Sequence, residues 1–314
     1  MKVVVTSILK DEPEEFIARW VKSALDATEL ILVDTGSTNG CDVVARDHGV
    51  TVHRIDVQPW RFDAARNAAL ALVPADVDIV VKLDVDETLR DGWRGALEDA
   101  PPADRYSYGY IWDWLPDGTP NIAFTADHTI TRHNWIWKHP VHEALHWLGE
   151  GRPVVVPGGF VIEHHADQNK SRGQYLPLLK RAVEEDPADD RMAHYYAREL
   201  FFRNDWVAAR REFIRHLSLP SAVWPAERAQ SYRYLAKMDY FPERWLLHAI
   251  AEAPDRREPW VDLAQYYADK GEKAIAAGMA QRALMIRHRS GDYMSEASAW
   301  DEFALRKIVS DAYR

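Results

Sequence analysis

Four short apolar runs punctuate the first 90 residues: 2–9 (KVVVTSIL), 29–34 (ELILVD), 50–55 (VTVHRI) and 77–85 (VDIVVKLDV). Most are apolar at successive rather than alternate positions, the pattern of strands covered on both faces. Between them, residues 12–27, 37–48 and 61–72 carry helical periodicity, with Ser37 or Thr38 as the cap of the second helix. Strand–helix alternation of this kind predicts a doubly wound α/β domain. Residues 104–114, 123–132 and 153–165 are aromatic and β-branched, which predicts further strands, antiparallel ones, completing that domain.

From about residue 170 the pattern becomes purely helical. Pro187, Pro220 and Pro254 recur at intervals of 33 and 34 residues, each after a helix-like run. Residues 260–284 resemble a tetratricopeptide repeat through Trp260, Leu263, Ala264, Tyr267, Gly271, Ala276, Ala280 and Ala283. Residues 193–213 fit the same template less fully, through Tyr196, Ala197, Leu200, Ala209 and Phe213, and the unit between them is degenerate. The expected organisation is an α/β domain over 1–170 and a helical repeat domain over 171–314. Such repeats offer a surface for a protein partner, for self-association or for an acceptor, or they simply complete the fold.

Composition narrows the classes. The 314 residues are 47% hydrophobic and 28% charged, an ordinary globular profile. A net charge of −10 disfavours nucleic acid and anionic membrane as partners, without forbidding a local phosphate pocket. A single cysteine, Cys41, excludes an internal disulfide framework and suits a reducing cytoplasm. The N-terminal MKVVVTSILKDE reads as a strand, not a signal peptide, and no apolar stretch approaches the ~20 residues of a transmembrane helix. The expectation is a soluble cytoplasmic protein.

Chemistry-bearing residues collect at the ends of the expected strands: Thr6-Ser7, then Asp34, then Asp84-Val85-Asp86-Glu87. Open α/β sheets bind ligands beyond the carboxyl ends of their strands. Burying an unpaired carboxylate is costly, so these positions suggest a site, although Asp34 taken alone reads as readily as a turn or cap residue. Asp84 and Asp86 point the same way if their strand continues, and two convergent carboxylates make a hard oxygen site for Mg²⁺ or Mn²⁺.

Three segments in order, VDTGSTNG (33–40), WRFDAARNAAL (60–70) and LDVDE (83–87), resemble family 2 glycosyltransferases of GT-A fold. The resemblance extends through WKHPVHEAL (137–145) and VIEHH (161–165), so it covers about the first 170 residues. It implies a nucleotide-sugar donor, UDP-linked by first choice and GDP-linked by second, and a saccharide or protein acceptor. It implies that Thr6, Asp34 and Arg66 contact the nucleotide and that Lys10 lies near its phosphates. Asp84 then faces the ribose or a Mn²⁺ or Mg²⁺ ion, and Asp86 and His164 ligate that ion. Glu143 takes the place of the general base in an inverting transfer.

Lys10-Asp11-Glu12 departs from the family's frequent Lys-Asn-Glu, and Lys82 stands inside an apolar strand, where it reaches either a phosphate or a carboxylate. The Ile-x-His spacing favours His164 over His165. Two rival functions remain. His142-Glu143-Ala144-Leu145-His146 spells the zinc metallohydrolase motif H-E-x-x-H, which requires one helix to present both histidines; Pro140, Gly149 and Pro153 argue against such a helix. An inactive transferase-like scaffold is the other, opposed by the intact carboxylates. Trp112, Trp114, Trp135, Trp137 and Trp147 are expected mainly in the core, with one or two lining the acceptor cleft.

Overall fold

In the computed structural model, which describes residues 1–167 and 173–313, the central strand of the first unit is β1 (Val3–Leu9). It pairs in parallel with β2 (Glu29–Asp34) on one side and β4 (Ile79–Lys82) on the other, and β3 (Thr51–Arg54) extends the sheet beyond β2. The remaining strands are β5 (Glu87–Leu89), β6 (Arg105–Trp114), β7 (Pro120–Thr131) and β10 (Val155–His164), giving the order β3-β2-β1-β4-β7-β6-β10-β5. β7 runs antiparallel to both β4 and β6, but β10 runs parallel to β6, so the second half is mixed instead of wholly antiparallel. A separate hairpin, β8 (Trp135–Lys138) with β9 (Ala144–Trp147), was not foreseen, nor were β5 and the short helix α4 (Trp93–Asp99).

Strand alternation explains why the runs are continuously apolar. Val3, Val5, Leu32, Ile79 and Val81 enter one core with Ile17 and Trp20 of α1 (Glu14–Ser23), Ala45 of α2 (Cys41–Asp47) and Trp93 of α4. Val4, Ile31, Val33 and Val80 enter a second core with Ala69 and Leu70 of α3 (Phe62–Leu72) and with Trp135, Trp137 and Leu145 of the hairpin. Both faces are therefore covered. The cap expected at Ser37 or Thr38 is instead Gly40, at φ 81°, where a left-handed backbone suits glycine. Ser37 and Thr38 serve the preceding loop: Asp11 donates its N–H to Ser37 Oγ at 3.0 Å, and Asp11 Oδ1 accepts from Thr38 N at 2.6 Å.

The second unit, Arg172–Arg314, is helical. The expected boundary at 170–171 lies outside the described residues. After α5 (Tyr175–Glu185) come three helical hairpins: α6 (Asp190–Phe202) with α7 (Trp206–Ser218), α8 (Pro225–Lys237) with α9 (Glu243–Glu252), and α10 (Arg257–Asp269) with α11 (Lys273–Met285). A 3-10 turn (Ala297–Trp300) and α12 (Glu302–Asp311) follow. Pro187, Pro220 and Pro254 each stand two residues past a helix end, where proline cannot continue the helix. Ala264, Ala280 and Ala283 are fully buried, and their small side chains let neighbouring helices approach. No helix among the described residues is long and apolar enough to cross a membrane.

Arg233 ties three parts of this unit together. Its side chain, 3% exposed, gives Nε to Asp262 of α10 at 2.6 Å and Nη1 to Glu296 at 2.9 Å. Burial works against an ionised Glu296, but the Arg233 guanidinium outweighs it and holds the carboxyl down from 4.5 to about 2. A depressed folded-state value stabilises the fold above pH 4.5, and the contribution is lost as pH falls toward about 2. Arg233→Met should therefore cost about 2–3 kcal/mol at neutral pH, less than a fully buried pair because both carboxylates reach solvent. Urea denaturation followed by circular dichroism should show the gap between wild type and variant narrowing across that acid range.

Candidate active site

The parallel strands β1, β2 and β4 deliver Lys10, Asp34 and Asp84 to their carboxyl ends, along one edge of the sheet. Asp34 is fully buried. Its Oδ1 accepts from the N–H groups of Gly36 and Ser37 at 3.2 and 2.8 Å, fixing the loop after β2, while Arg54 Nε stands 3.6 Å from Oδ2. Asp34 thus fills the turn role, and Oδ2 makes no hydrogen bond. Gly36, at φ 105°, lies beneath Lys10: a Cβ there would stand 3.6 Å from Nζ. Thr6, Ser7, Arg66, Lys82, His128 and Trp137 surround a cavity of about 20 Å³, room for a single water and not for a nucleoside. Burial and the nearby cations Lys82 and Arg66 push His128 well below its usual value, so it is neutral there.

The strand expected to run to Val85 ends at Lys82. Asp84 and Asp86 therefore do not share a strand face. Asp84 and Glu87 close a turn on each other: Glu87 N donates to Asp84 O at 2.8 Å, and Asp84 N donates to Glu87 Oε2 at 2.7 Å. Lys82 reaches into this turn, 2.7 Å from Asp84 Oδ2 and 3.4 Å from Glu87 Oε2. Its partners within the protein are these two carboxylates. Burial alone would raise the Asp84 carboxyl, but Arg66 and Lys82 outweigh it and hold Asp84 far below the usual range. Glu87 is pushed up by its burial against the pull of Lys82, and Tyr110 donates its hydroxyl to it at 2.6 Å.

Arg66 and Asn67, adjacent on α3, dock the hairpin. Asn67 Nδ2 donates to Trp137 O and its Oδ1 accepts from Trp137 N, each at 2.8 Å. Arg66, buried beside the Trp137 ring, gives Nη2 to Asp84 at 2.7 Å and Nε to Glu143 at 2.8 Å. The guanidinium expected at the nucleotide is thus shared by two carboxylates, and it holds Glu143 at the loop between β8 and β9.

Asp86 takes a different direction. His164, at the end of β10, pairs in register with Glu87, which brings its Nε2 to 3.6 Å from Asp86 Oδ2. Its Nδ1 lies 3.0 Å from the Trp112 carbonyl, an acceptor, so Nδ1 carries the proton and the Nε2 lone pair faces Asp86 in the neutral ring. Burial works against a second proton, but the Asp86 carboxylate and the Trp112 carbonyl outweigh it and raise the imidazole. His165 turns away to Thr88, with Nε2 2.9 Å from Oγ1. His164 turns its ring to the Asp86 carboxylate, whereas His165 meets Asp86 through the backbone, its N–H donating to the Asp86 carbonyl at 2.7 Å.

The sequence model of glycosyl transferase family 2 matches residues 3–170. The chain belongs to this family. A TPR repeat-containing protein of Synechococcus elongatus is 23% identical over 308 residues, covering 90% of this transferase and 75% of that protein. Two solved structures are more distant. A thermophilic TPR protein of Thermus thermophilus is 17% identical, with TM-score 0.31, over 44% of this chain and 71% of that one. Glucosyl-3-phosphoglycerate synthase of Mycobacterium tuberculosis, solved with Mn²⁺, UDP and glucosyl-3-phosphoglycerate, is 22% identical, with TM-score 0.28, over 37% of this chain and 44% of that one. This family 2 glycosyltransferase carries a GT-A domain followed by a TPR-like helical domain.

The zinc-hydrolase motif fails on geometry. His142 and Glu143 lie in the hairpin loop, with His142 at φ 51°, and His146 is on strand β9. No helix presents the two histidines together. Trp135 and Trp137 are core, as expected, whereas Trp112 is 38% exposed and stacks on His164 at 4.3 Å and 7°. Sequence reasoning left Trp112, Glu87 and Tyr110 without site roles. The aromatic cluster and the run Asp84–Glu87 held the signal, but neither says which ring or carboxylate is used.

Proposed function

We propose that this glycosyltransferase inverts the anomeric carbon of a nucleotide-sugar, UDP-linked by first choice and GDP-linked by second, with help from a divalent ion. The observation that supports this most is the Asp86–His164 pair, whose oxygen and oriented nitrogen suit Mn²⁺ or Mg²⁺. Bound there, the ion would supply electrostatic stabilisation of the departing diphosphate. Lys10 adds a positive charge at the same strand ends, and Asp84 keeps part of its carboxylate open to solvent as a ribose acceptor. Glu143 takes the proton from the acceptor hydroxyl. Arg66 grips its Oε1, which leaves the second oxygen as the proton acceptor and fixes the carboxylate's direction. Trp112, partly exposed beside His164, offers a ring face to a sugar. The helical domain serves as a platform for a protein or saccharide acceptor, or for a protein partner.

Thermal unfolding of the full chain tests the donor. UDP with Mn²⁺ should stabilise more than the sum of each alone, by about 2.7 kcal/mol at a hundredfold excess over the dissociation constant. No stabilisation by any nucleoside diphosphate at millimolar concentration, with or without metal, overturns the reading.

A further inference from the structure

The helical unit buries a second polar cluster that no step of sugar transfer uses. His216 of α7 is fully buried, and Glu227 of α8 is nearly so. Asp190, in the first turn of α6, completes a set in which one ligand atom from each residue lies within 4.8 Å of the others. His216 Nε2 stands 3.3 Å from Glu227 Oε1, yet it makes no hydrogen bond. A tetrahedral ion with bonds of about 2.0–2.1 Å separates its ligands by about 3.3 Å, so that off-line approach is the spacing of two co-ligands.

The surroundings favour the same arrangement. Ser231 Oγ lies between His216 Nδ1 at 2.9 Å and His194 Nδ1 at 2.8 Å. With His216 Nδ1–H donating to Ser231, and Ser231 donating to His194, the Nε2 lone pair of His216 points into the cluster. A metal-bound histidine usually has its other nitrogen fixed in this way. Tyr293 donates its hydroxyl to Glu227 Oε2 at 3.2 Å, which leaves Oε1 on the histidine side.

We propose that Asp190, His216 and Glu227 form a zinc-class metal site that joins helices α6, α7 and α8, separate from the transferase centre. One nitrogen and two carboxylate oxygens suit Zn²⁺, with water or a second carboxylate oxygen as the fourth ligand. Asp190 is partly exposed, and its ligand oxygen lies within 4.8 Å of those of the other two residues.

The test uses the full chain carrying Asp86→Ala and His164→Ala, so that the transferase centre is silenced. After chelation, titration with Zn²⁺ alone, followed by calorimetry, should find one site per chain. Cobalt in its place should give the visible absorption of a tetrahedral ion. Asp190→Asn, half-buried at a helix start and able to fold, should weaken zinc by at least the roughly 10–100-fold that loss of an outer partner costs. Glu227→Gln should do the same, and circular dichroism checks its fold; if it unfolds, Asp190→Asn decides. Absence of zinc binding in the silenced background, unchanged affinity in Asp190→Asn, or zinc lost instead with His146→Ala each overturns the proposal.

Discussion

Replacing Glu143 by Gln is expected to leave nucleotide-sugar binding within about twofold of wild type and to slow transfer ~10²–10⁴-fold, the range for a positioned base. That loss equals about 2.7–5.5 kcal/mol of barrier. The reason is local. Glu143 sits on a hairpin loop held by Asn67, and its Oε1 accepts from Arg66 Nε at 2.8 Å. Gln can still accept that hydrogen bond, and Arg66 keeps its second anchor on Asp84, so the loop should stay in place. What disappears is the capacity to take a proton. Because the acceptor is open, the cleanest readout is hydrolysis of the donor, in which water stands in for the acceptor hydroxyl. Donor affinity by calorimetry gives the second axis. Hydrolysis at the wild-type rate would mean the base lies elsewhere, with His142 of the same loop and Asp113, near the end of β6, the next residues to test.

Asp86→Ala is expected to fail in the opposite way. Removing a metal-facing oxygen should weaken Mn²⁺-dependent donor binding by more than the roughly 10–100-fold typical of losing an outer partner, while metal-free binding of the nucleotide changes little. His164 should remain in position, since its Nδ1 bond to the Trp112 carbonyl and its stacking on the Trp112 ring do not involve Asp86. Asp84→Ala makes the informative contrast. Asp84 lies between two buried cations, Lys82 and Arg66, so its loss should lower the melting temperature of the protein besides any effect on the donor. A metal requirement that survives Asp86→Ala but not Asp84→Ala would move the ion from the His164 side of the turn to the Lys82 side.

The two carboxylates, alike in the sequence, come apart here for a reason that strand periodicity could not contain. An Asp-x-Asp on a continuing strand puts both side chains on one face. The strand gives way to a turn in which Glu87 accepts from Asp84 N and Lys82 lies beside both carboxylates, and β5, which follows, pairs antiparallel with β10 and so sets His164 opposite Glu87, next to Asp86. That pairing joins residues more than 70 positions apart. The same holds for Lys82, whose place in an apolar run left phosphate and carboxylate equally open until the turn was in view.

Several features were fixed by sequence alone. The continuous apolar runs demanded strands covered twice, because alternate side chains of such a strand must both leave water, and the two cores receive them in alternation. Pro187, Pro220 and Pro254 mark the period of the helical hairpins, since a proline beyond a helix's last turn cannot continue it, whereas Pro177, Pro225 and Pro259 sit in first turns, where proline is tolerated. Glycine and proline around His142 and His146 already opposed a zinc-binding helix. The family resemblance had already put Asp86 and His164 on one ion, but tertiary structure alone decided that Arg66 bridges Asp84 and Glu143, that Asp84 parts from Asp86, and that His216 meets Glu227 across two helices. Periodicity records which residues leave water and where the chain must turn, because those are local costs. Pairings between charged side chains depend on distances across strands and helices, and a one-dimensional pattern does not carry distance.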